Sequence, residues 1–219
     1  MKFVVPIDFT ETTTTALRYA LNLAKTFKAD LVMVHVIPPK ASEEEEREKK
    51  RELILLGDQI VLNEAFWEAV VRRGSIFETI AEVANEKDAS LTVMGTHGAL
   101  GMQKLFGSYA IKVITSSNTP FIITQDGYQV KKEIKSILVP IDLKNEDPRV
   151  LEVVAALAKP HKAKVHILTS FTKKRDEKKM SHQIATYAEG FFKERNIDCK
   201  VKHASKTDHF DEYLVNFAQ

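Results

Sequence analysis

Residues Leu91 to Thr124 read LTVMGTHGALGMQKLFGSYAIKVITSSNTPFIIT, and this stretch decides the fold. Its first residues, Leu91 to Met94, and its last, Pro120 to Thr124, are short apolar runs that predict buried strands. Between them lie Gly95, Gly98, Gly101 and Gly107, with Ser108 and a predicted helix after the last. Glycines let backbone N–H groups converge, and the first turn of a helix adds unpaired donors at the positive end of its dipole. The stretch therefore predicts a cradle for an anion such as phosphate.

The residues before this stretch alternate between strand and helix patterns. Two further apolar, β-branched runs predict strands at Phe3 to Ile7 and Leu31 to Ile37, and an alternating pattern predicts a strand at Phe66 to Arg72. The segments between these strands have apolar residues at helical spacing and are predicted helices. Thr10 or Thr12 is the predicted N-cap of the first helix, and Ser75 is the predicted N-cap of the third. The second helix combines the charged run Lys40 to Arg51 with Leu53 to Asn63. The pattern predicts an α/β, doubly wound domain with a mainly parallel five-stranded sheet.

A sequence repeat follows the first domain. Val139-Pro140-Ile141-Asp142 restates Val5-Pro6-Ile7-Asp8, and Lys162-Ala163 restates Lys28-Ala29, both 134 positions later. In the copy we predict strands at Ser136 to Ile141, Lys164 to Ser170 and Ile197 to His203, and helices at Pro148 to Ala158, from the run Lys173 to Lys179 through Glu194, and from Tyr213. The copy has no counterpart of Leu91 to Thr124. We therefore expect a complete domain at 1–125, a linker at 126–135 and a partial second domain at 136–219, as in a truncated tandem protein.

Composition excludes several classes of partner. Lys plus Arg number 32 and Asp plus Glu 30, a net charge of +2 that predicts neither nucleic acid nor an anionic membrane as partner. A single cysteine, Cys199, cannot form an internal disulfide and suits a reducing compartment. No apolar run approaches the roughly 20 residues of a membrane span. We therefore predict a cytoplasmic protein.

Three motifs together resemble the universal stress protein family. They are Gly95-x-x-Gly98 with Gly107-Ser108 after a strand, Asp8 at the end of the first strand in VPIDFT, and His35-Val36 at the end of the second strand. The resemblance covers residues 1–125 in full and 136–219 as a partial copy. The ATP-binding members carry G-x2-G-x9-G-(S/T), whereas eight residues, Ala99 to Phe106, separate the second and third motif glycines here.

The resemblance implies that the first domain binds ATP, or AMP or ADP, with Mg²⁺ bridging the phosphates. Asp8 would then meet the ribose or adenine, the backbone of Val36 would read the adenine edge, and the glycine loop would hold the phosphates. The implied nucleotide-binding residues are Pro6, Ile7, Asp8, Val36, Gly95, His97, Gly98, Gly107, Ser108 and Tyr109. No residue is placed to activate water, so binding would act as a regulatory or stress-response signal with little or no hydrolysis. We assign no catalytic residue and no metal ligand.

Each of these residues also has a structural interpretation. Asp8 and Ser108 are typical helix caps, Gly95 and Gly98 suit a tight strand-to-helix turn, and His97 suits a surface position. His35 is expected to be packed, as is Cys199 as an inert thiol.

These structural interpretations leave a second function open. It is a nucleotide-independent dimerisation or scaffold module that pairs through the strand Pro120 to Thr124, as a homodimer or an intrachain pseudo-dimer. A genuine ATP-dependent enzyme is a third alternative.

Overall fold

The computed structural model describes residues 1–96, 117, 119–125, 127, 129–130, 133–141, 149–170, 174–204, 210, 214 and 217. The chain divides into two compact units, Met1–Lys131 and Lys132–Gln219. This boundary falls within 126–135, the range that the sequence predicts as a linker. The predicted helix after Ser108 lies outside the described residues, as does most of the predicted helix from Tyr213.

The first unit is a parallel α/β sheet. Its described elements are β1 (Lys2–Pro6), α1 (Glu11–Phe27), β2 (Asp30–Ile37), α2 (Glu43–Ile60), β3 (Trp67–Arg73), α3 (Ile76–Glu86), β4 (Leu91–Thr96) and β5 (Phe121–Gln125). The five strands pair in parallel in the order β3-β2-β1-β4-β5. The predicted doubly wound, five-stranded fold is confirmed. The chain moves outward from β1 to β3 and then returns to the other side of β1.

Burial explains why the apolar runs form the inner strands. Residues Phe3 to Val5 and Leu31 to Val34 are buried almost completely, as expected for strands covered by helices on both faces. The helix α1 packs through nine buried residues, and Thr10 is its N-cap. The second helix buries only Leu53, Gly57 and Ile60, and four glutamates occupy its first turn, where the helix dipole favours negative charge. The charged run is therefore a solvated helix face.

The second unit repeats the first three strands in outline. Its described elements are β6 (Ser136–Ile141), α4 (Arg149–His161), β7 (Lys164–Thr169), α5 (Arg175–Glu194) and β8 (Cys199–His203). Its strands are parallel in the order β6-β7-β8, which corresponds to β1-β2-β3. This arrangement fits a partial second copy, while the tandem origin stays a prediction.

The repeated Lys-Ala pairs end their helices in the same way. Lys28 and Lys162 adopt left-handed backbone conformations, with φ of 52° and 51°. In each pair the alanine N–H donates to the carbonyl of a helix residue five positions earlier, Ala24 or Ala158, at 2.9 Å. Such a bond satisfies a carbonyl that the end of a helix leaves without an intrahelical partner. The second helix of this kind, α4, extends to His161, three residues beyond the predicted end at Ala158.

Candidate functional site

The site predicted in the first unit lies where the strands β1, β2 and β4 end. The order of the sheet reverses beside β1, since β2 lies on one side of it and β4 on the other. Parallel α/β sheets bind ligands at such a reversal, outside the carboxyl ends of the strands. Asp8 follows β1, Val36 lies near the end of β2, and Gly95 lies in β4. The topology therefore brings these three predicted residues to one edge of the sheet.

The Asp8 carboxylate holds the start of α1. Its Oδ1 atom accepts hydrogen bonds from the Thr10 N–H at 3.0 Å, the Thr10 hydroxyl at 2.6 Å and the Thr13 hydroxyl at 2.9 Å. The Thr10 hydroxyl in turn accepts from the Thr13 N–H at 3.4 Å as the N-cap. Asp8 therefore supports the start of the helix, the role that its structural interpretation gives it. The same bonds fix the position of the carboxylate at the edge of the sheet.

His35 closes the end of β1 from the neighbouring strand. Its Nδ1 atom lies 2.7 Å from the Ile7 carbonyl oxygen, and because that oxygen can only accept, Nδ1 carries the proton. The Phe9 ring lies 4.7 Å from the His35 ring, and the Lys49 ammonium lies 5.2 Å from the Phe9 ring. Phe9 has a φ of 66°, a region that bulky residues rarely adopt. His35 is packed, as the sequence predicts, and it supports an unusual aromatic residue directly after Asp8.

The backbone of Val36 faces the side of β2 on which β1 has already ended. Ile7 donates its N–H to the Val34 carbonyl at 2.8 Å, so the backbone groups of Val34 point toward β1. In a parallel strand the direction alternates with each residue, so Val36 points the same way as Val34. The last paired residue of β1 is Pro6, opposite Val34. Val36 thus lies two residues beyond Val34, the last residue of β2 that pairs with β1. Its N–H and carbonyl can meet a ligand there.

Gly95 has a packing role in β4. A Cβ atom at this position would lie 2.6 Å from the carbonyl oxygen and 2.8 Å from the carbonyl carbon of Thr12 in the first turn of α1. Gly95 does not adopt a positive φ, so the glycine is needed for space and not for backbone conformation. The close approach of α1 and β4 alone accounts for this glycine.

Thr96 is a candidate polar residue that the sequence reasoning missed. It ends β4 and is 8% exposed, and its hydroxyl has no hydrogen-bond partner among the described residues. A threonine directly before the glycine loop was the available signal. Pro6 and Ile7 are buried at the end of β1. The other predicted site residues, His97, Gly98, Gly107, Ser108 and Tyr109, lie outside the described residues.

Within the described ranges, no group of three or more His, Cys, Asp or Glu side chains could hold a metal ion. None of the described helices is long and apolar enough to cross a membrane. Cys199 is buried, with its Sγ 3.7 Å from the Glu189 carbonyl oxygen, and burial raises the pKa of its thiol. The thiolate is disfavoured there, which agrees with an inert thiol.

Comparison with known proteins places this geometry in a family. The sequence matches the universal stress protein family over residues 1–125. A universal stress protein from Methanocaldococcus jannaschii is 28% identical over 142 residues, which covers 57% of this chain and 81% of that protein.

Two solved structures are similar as well. A universal stress protein from Archaeoglobus fulgidus DSM 4304 aligns over 98% of this chain and 84% of its own, with a TM-score of 0.77 and 20% identity, a likeness of fold. A universal stress protein from Archaeoglobus fulgidus in complex with dAMP aligns over 56% of this chain and 97% of its own, with a TM-score of 0.47 and 26% identity. Because the family match extends over more than half of the residues, this chain belongs to the universal stress protein family.

Proposed function

We propose that the first unit binds an adenine nucleotide, ATP or else AMP or ADP, at the carboxyl edge of its sheet. The observation that carries this proposal is the reversal of strand order beside β1, with Asp8, Val36 and Gly95 at the strand ends around it. Ligands in open α/β sheets bind at this point because the loops diverge there and leave a crevice. The bound nucleotide serves as a regulatory signal in a stress response, and hydrolysis is slow or absent.

Two features support an adenine nucleoside in this crevice. The backbone groups of Val36 lie beyond the end of β1, so a carbonyl and an N–H face the ligand side, as recognition of an adenine edge requires. The Asp8 carboxylate is held by three donors and is exposed, so it is oriented before a ribose hydroxyl arrives. Preorganised groups of this kind lose little conformational entropy on binding.

The residues also fit a phosphate group and Mg²⁺. The buried hydroxyl of Thr96, without a partner among the described residues, lies directly before the glycines predicted to cradle the phosphates. Hydroxyl and carboxylate oxygens are ligands that Mg²⁺ accepts together with phosphate oxygens. When bound, Mg²⁺ would neutralise charge on the phosphates, and the Thr96 hydroxyl would be available to it as an oxygen ligand.

Calorimetry of the full chain with ATP, AMP, dAMP and GTP tests the proposal. We expect binding of the adenine nucleotides, weaker binding of GTP, and loss of binding in Gly98→Val, because a side chain would block the approach of phosphate to the backbone. Gly190→Val is the matched control, since a Cβ at Gly190 in α5 meets no atom within 4 Å. A Kd of about 1 mM corresponds to a binding free energy of about −4 kcal/mol. If none of these nucleotides binds at that concentration, the proposal is rejected.

A second candidate function, dimerisation without nucleotide, is favoured by the edge of the sheet. The strand β5 pairs with β4 and has no second neighbour among the described strands, and its residues Phe121 to Ile123 are half-buried. The Thr92 N–H donates to the Pro120 carbonyl, so by alternation the backbone of Ile123 faces outward. Such an edge can pair with a second copy of this chain.

Sedimentation equilibrium separates this candidate from the first. Ile123→Pro removes an outward N–H without touching the β4 ladder, and it should convert a dimer to a monomer while the circular dichroism of the chain stays unchanged. Gly98→Val should leave the dimer intact. A wild-type chain that is monomeric at about 100 μM, well above a micromolar Kd, would contradict dimerisation through β5.

A further inference from the structure

The second unit contains a small cavity of its own, to which several polar side chains contribute. The cavity has a volume of about 160 Å³ and lies at the carboxyl ends of β7 and β8, against the first turns of α5. Its polar lining includes Thr169 from β7, His203 from β8, and Lys178, Ser181 and His182 from α5. These residues come from three elements and converge at the same edge of the sheet that serves as the ligand edge in parallel folds.

The polar groups of this cavity lie close to one another, and two of them share a hydrogen bond. Thr169 is 1% exposed, and its Oγ1 lies 2.7 Å from Nδ1 of His203. The rings of His203 and His182 lie 6.4 Å apart, and Lys178 precedes His182 by one helical turn on α5. Ser181, which is buried, lies between Lys178 and His182 in the sequence. An ammonium, two imidazoles and two hydroxyls therefore face one small space.

Charge decides the sign of the ligand. The lining contains no carboxylate among the described residues, while Lys178 carries a full positive charge. A neighbouring open groove of about 540 Å³ shares Lys178 and His182 and adds Arg175 and Lys179 against the single carboxylate of Asp176. Positive groups around a concave surface concentrate anions there. The cavity is therefore suited to an anion.

Size decides the class of anion. Pockets that hold drug-sized ligands measure about 300 to 1,000 Å³, and one water occupies about 30 Å³ of the liquid. A cavity of about 160 Å³ therefore has room for about five waters. This space is too small for a nucleotide but accommodates a tetrahedral oxyanion. A larger molecule could place one phosphate inside and extend over the neighbouring groove.

We propose that this cavity binds phosphate, either as the free ion or as the end of a small phosphomonoester. Lys178 supplies the opposite charge. The His182 ring, the Ser181 hydroxyl and the one donor that the Thr169–His203 pair leaves free donate hydrogen bonds to the phosphate oxygens. The site uses none of the first unit's residues, so it is independent of the nucleotide proposed there. It also uses a chemistry different from a glycine loop, because its donors are side chains.

Titration of the full chain with inorganic phosphate and with glycerol 3-phosphate, at constant ionic strength, tests this proposal. The readouts are calorimetry and the NMR ring signals of the histidines. We expect the signals of His182 and His203 to move on addition of either ligand, and those of His161, at the end of α4, to stay in place. Tighter binding of the ester would identify a phosphomonoester as the ligand, and equal or tighter binding of the free ion would identify inorganic phosphate.

Variants at exposed positions keep the test free of folding defects. Lys178→Gln and His182→Gln should each weaken phosphate binding about tenfold or more, since a hydrogen bond to a charged group contributes about 1.5 to 3 kcal/mol. Lys200→Gln is the control, because Lys200 is an exposed lysine on β8 outside the cavity lining. An equal loss in Lys200→Gln would mean that phosphate responds only to the overall charge. That result, or no binding to the wild type below about 10 mM, would overturn the proposal.

Discussion

Replacing Gly95 by alanine tests whether packing of α1 against β4, and not a ligand, requires this glycine. The added Cβ would lie 2.6 Å from the Thr12 carbonyl oxygen, whereas ordinary contact begins at 3.4 Å. The first turn of α1 must therefore retreat by about 0.8 Å, and it is tied to β1 through the Asp8 carboxylate. Such overpacking costs about 1 to 3 kcal/mol. The lower unfolded-state entropy of alanine returns about 0.4 to 1 kcal/mol. From the middle of the overpacking range, about 2 kcal/mol, a net loss of about 1 to 1.6 kcal/mol remains.

Urea unfolding followed by tryptophan fluorescence measures this loss. The chain has one tryptophan, Trp67, and it begins β3 in the first unit, so its signal reports on the sheet that contains Gly95. With a slope of about 2 kcal/mol/M, the midpoint should fall by about 0.5 to 0.8 M. Gly190→Ala in α5 is the matched control. A Cβ there meets nothing within 4 Å, so helix propensity should stabilise the second unit by about 0.5 to 1 kcal/mol, measured by circular dichroism.

The outcome of this pair of variants separates two reasons for the glycine. If the midpoint of Gly95→Ala matches that of the wild type, α1 can move away from β4 without loss, and the steric reasoning is refuted. If stability falls as expected but nucleotide still binds at saturation to the folded fraction, Gly95 is a packing residue within the predicted site. Loss of nucleotide binding without loss of stability would instead assign Gly95 to the ligand.

Three further changes follow from the described contacts. Asp8→Ala should lower the stability of the first unit by about 1 to 2 kcal/mol, because three donors at the start of α1 lose their acceptor. Asp8→Asn keeps an acceptor oxygen and should lose less stability. Thermal unfolding of the two variants measures the difference. Gly57→Ala should destabilise the chain and shift the emission of Trp67, because the new Cβ would lie 2.5 Å from its ring; unchanged emission and stability would show that the ring moves aside freely. Burial, and after it the charges of neighbouring lysines, lowers the pKa of His166 below the ordinary histidine pKa of 6.5. The folded second unit therefore favours the neutral ring, and this contribution to stability is fully present above pH 6.5. It should be lost as the pH falls through the lowered pKa. His166→Gln should flatten that pH dependence in urea titrations between about pH 7 and pH 5.

The sequence by itself determined the elements of this protein. The inner strands β1 and β2 are largely apolar runs, and the helices α1 and α2 carry the local start signals Thr10 and Ser42. These signals are local, because a strand covered on both faces must be apolar at every position and a helix start must satisfy its own N–H groups. Alternation of strands and helices then left a parallel doubly wound sheet as the expected fold.

The tertiary structure alone revealed the contacts that Asp8 and Gly95 make. The glycine motif predicted a ligand role for Gly95, but its space is taken by Thr12, a residue more than 80 positions earlier in the chain. The left-handed Phe9 against His35 and the pairing of Thr169 with His203 also join residues that no local pattern connects. Contacts of this kind arise when distant segments pack, and a local pattern encodes the burial of a residue but not the identity of its neighbour. The sequence therefore indicated the edge at which a ligand is expected, and the packing of distant segments decided which side chains can reach it.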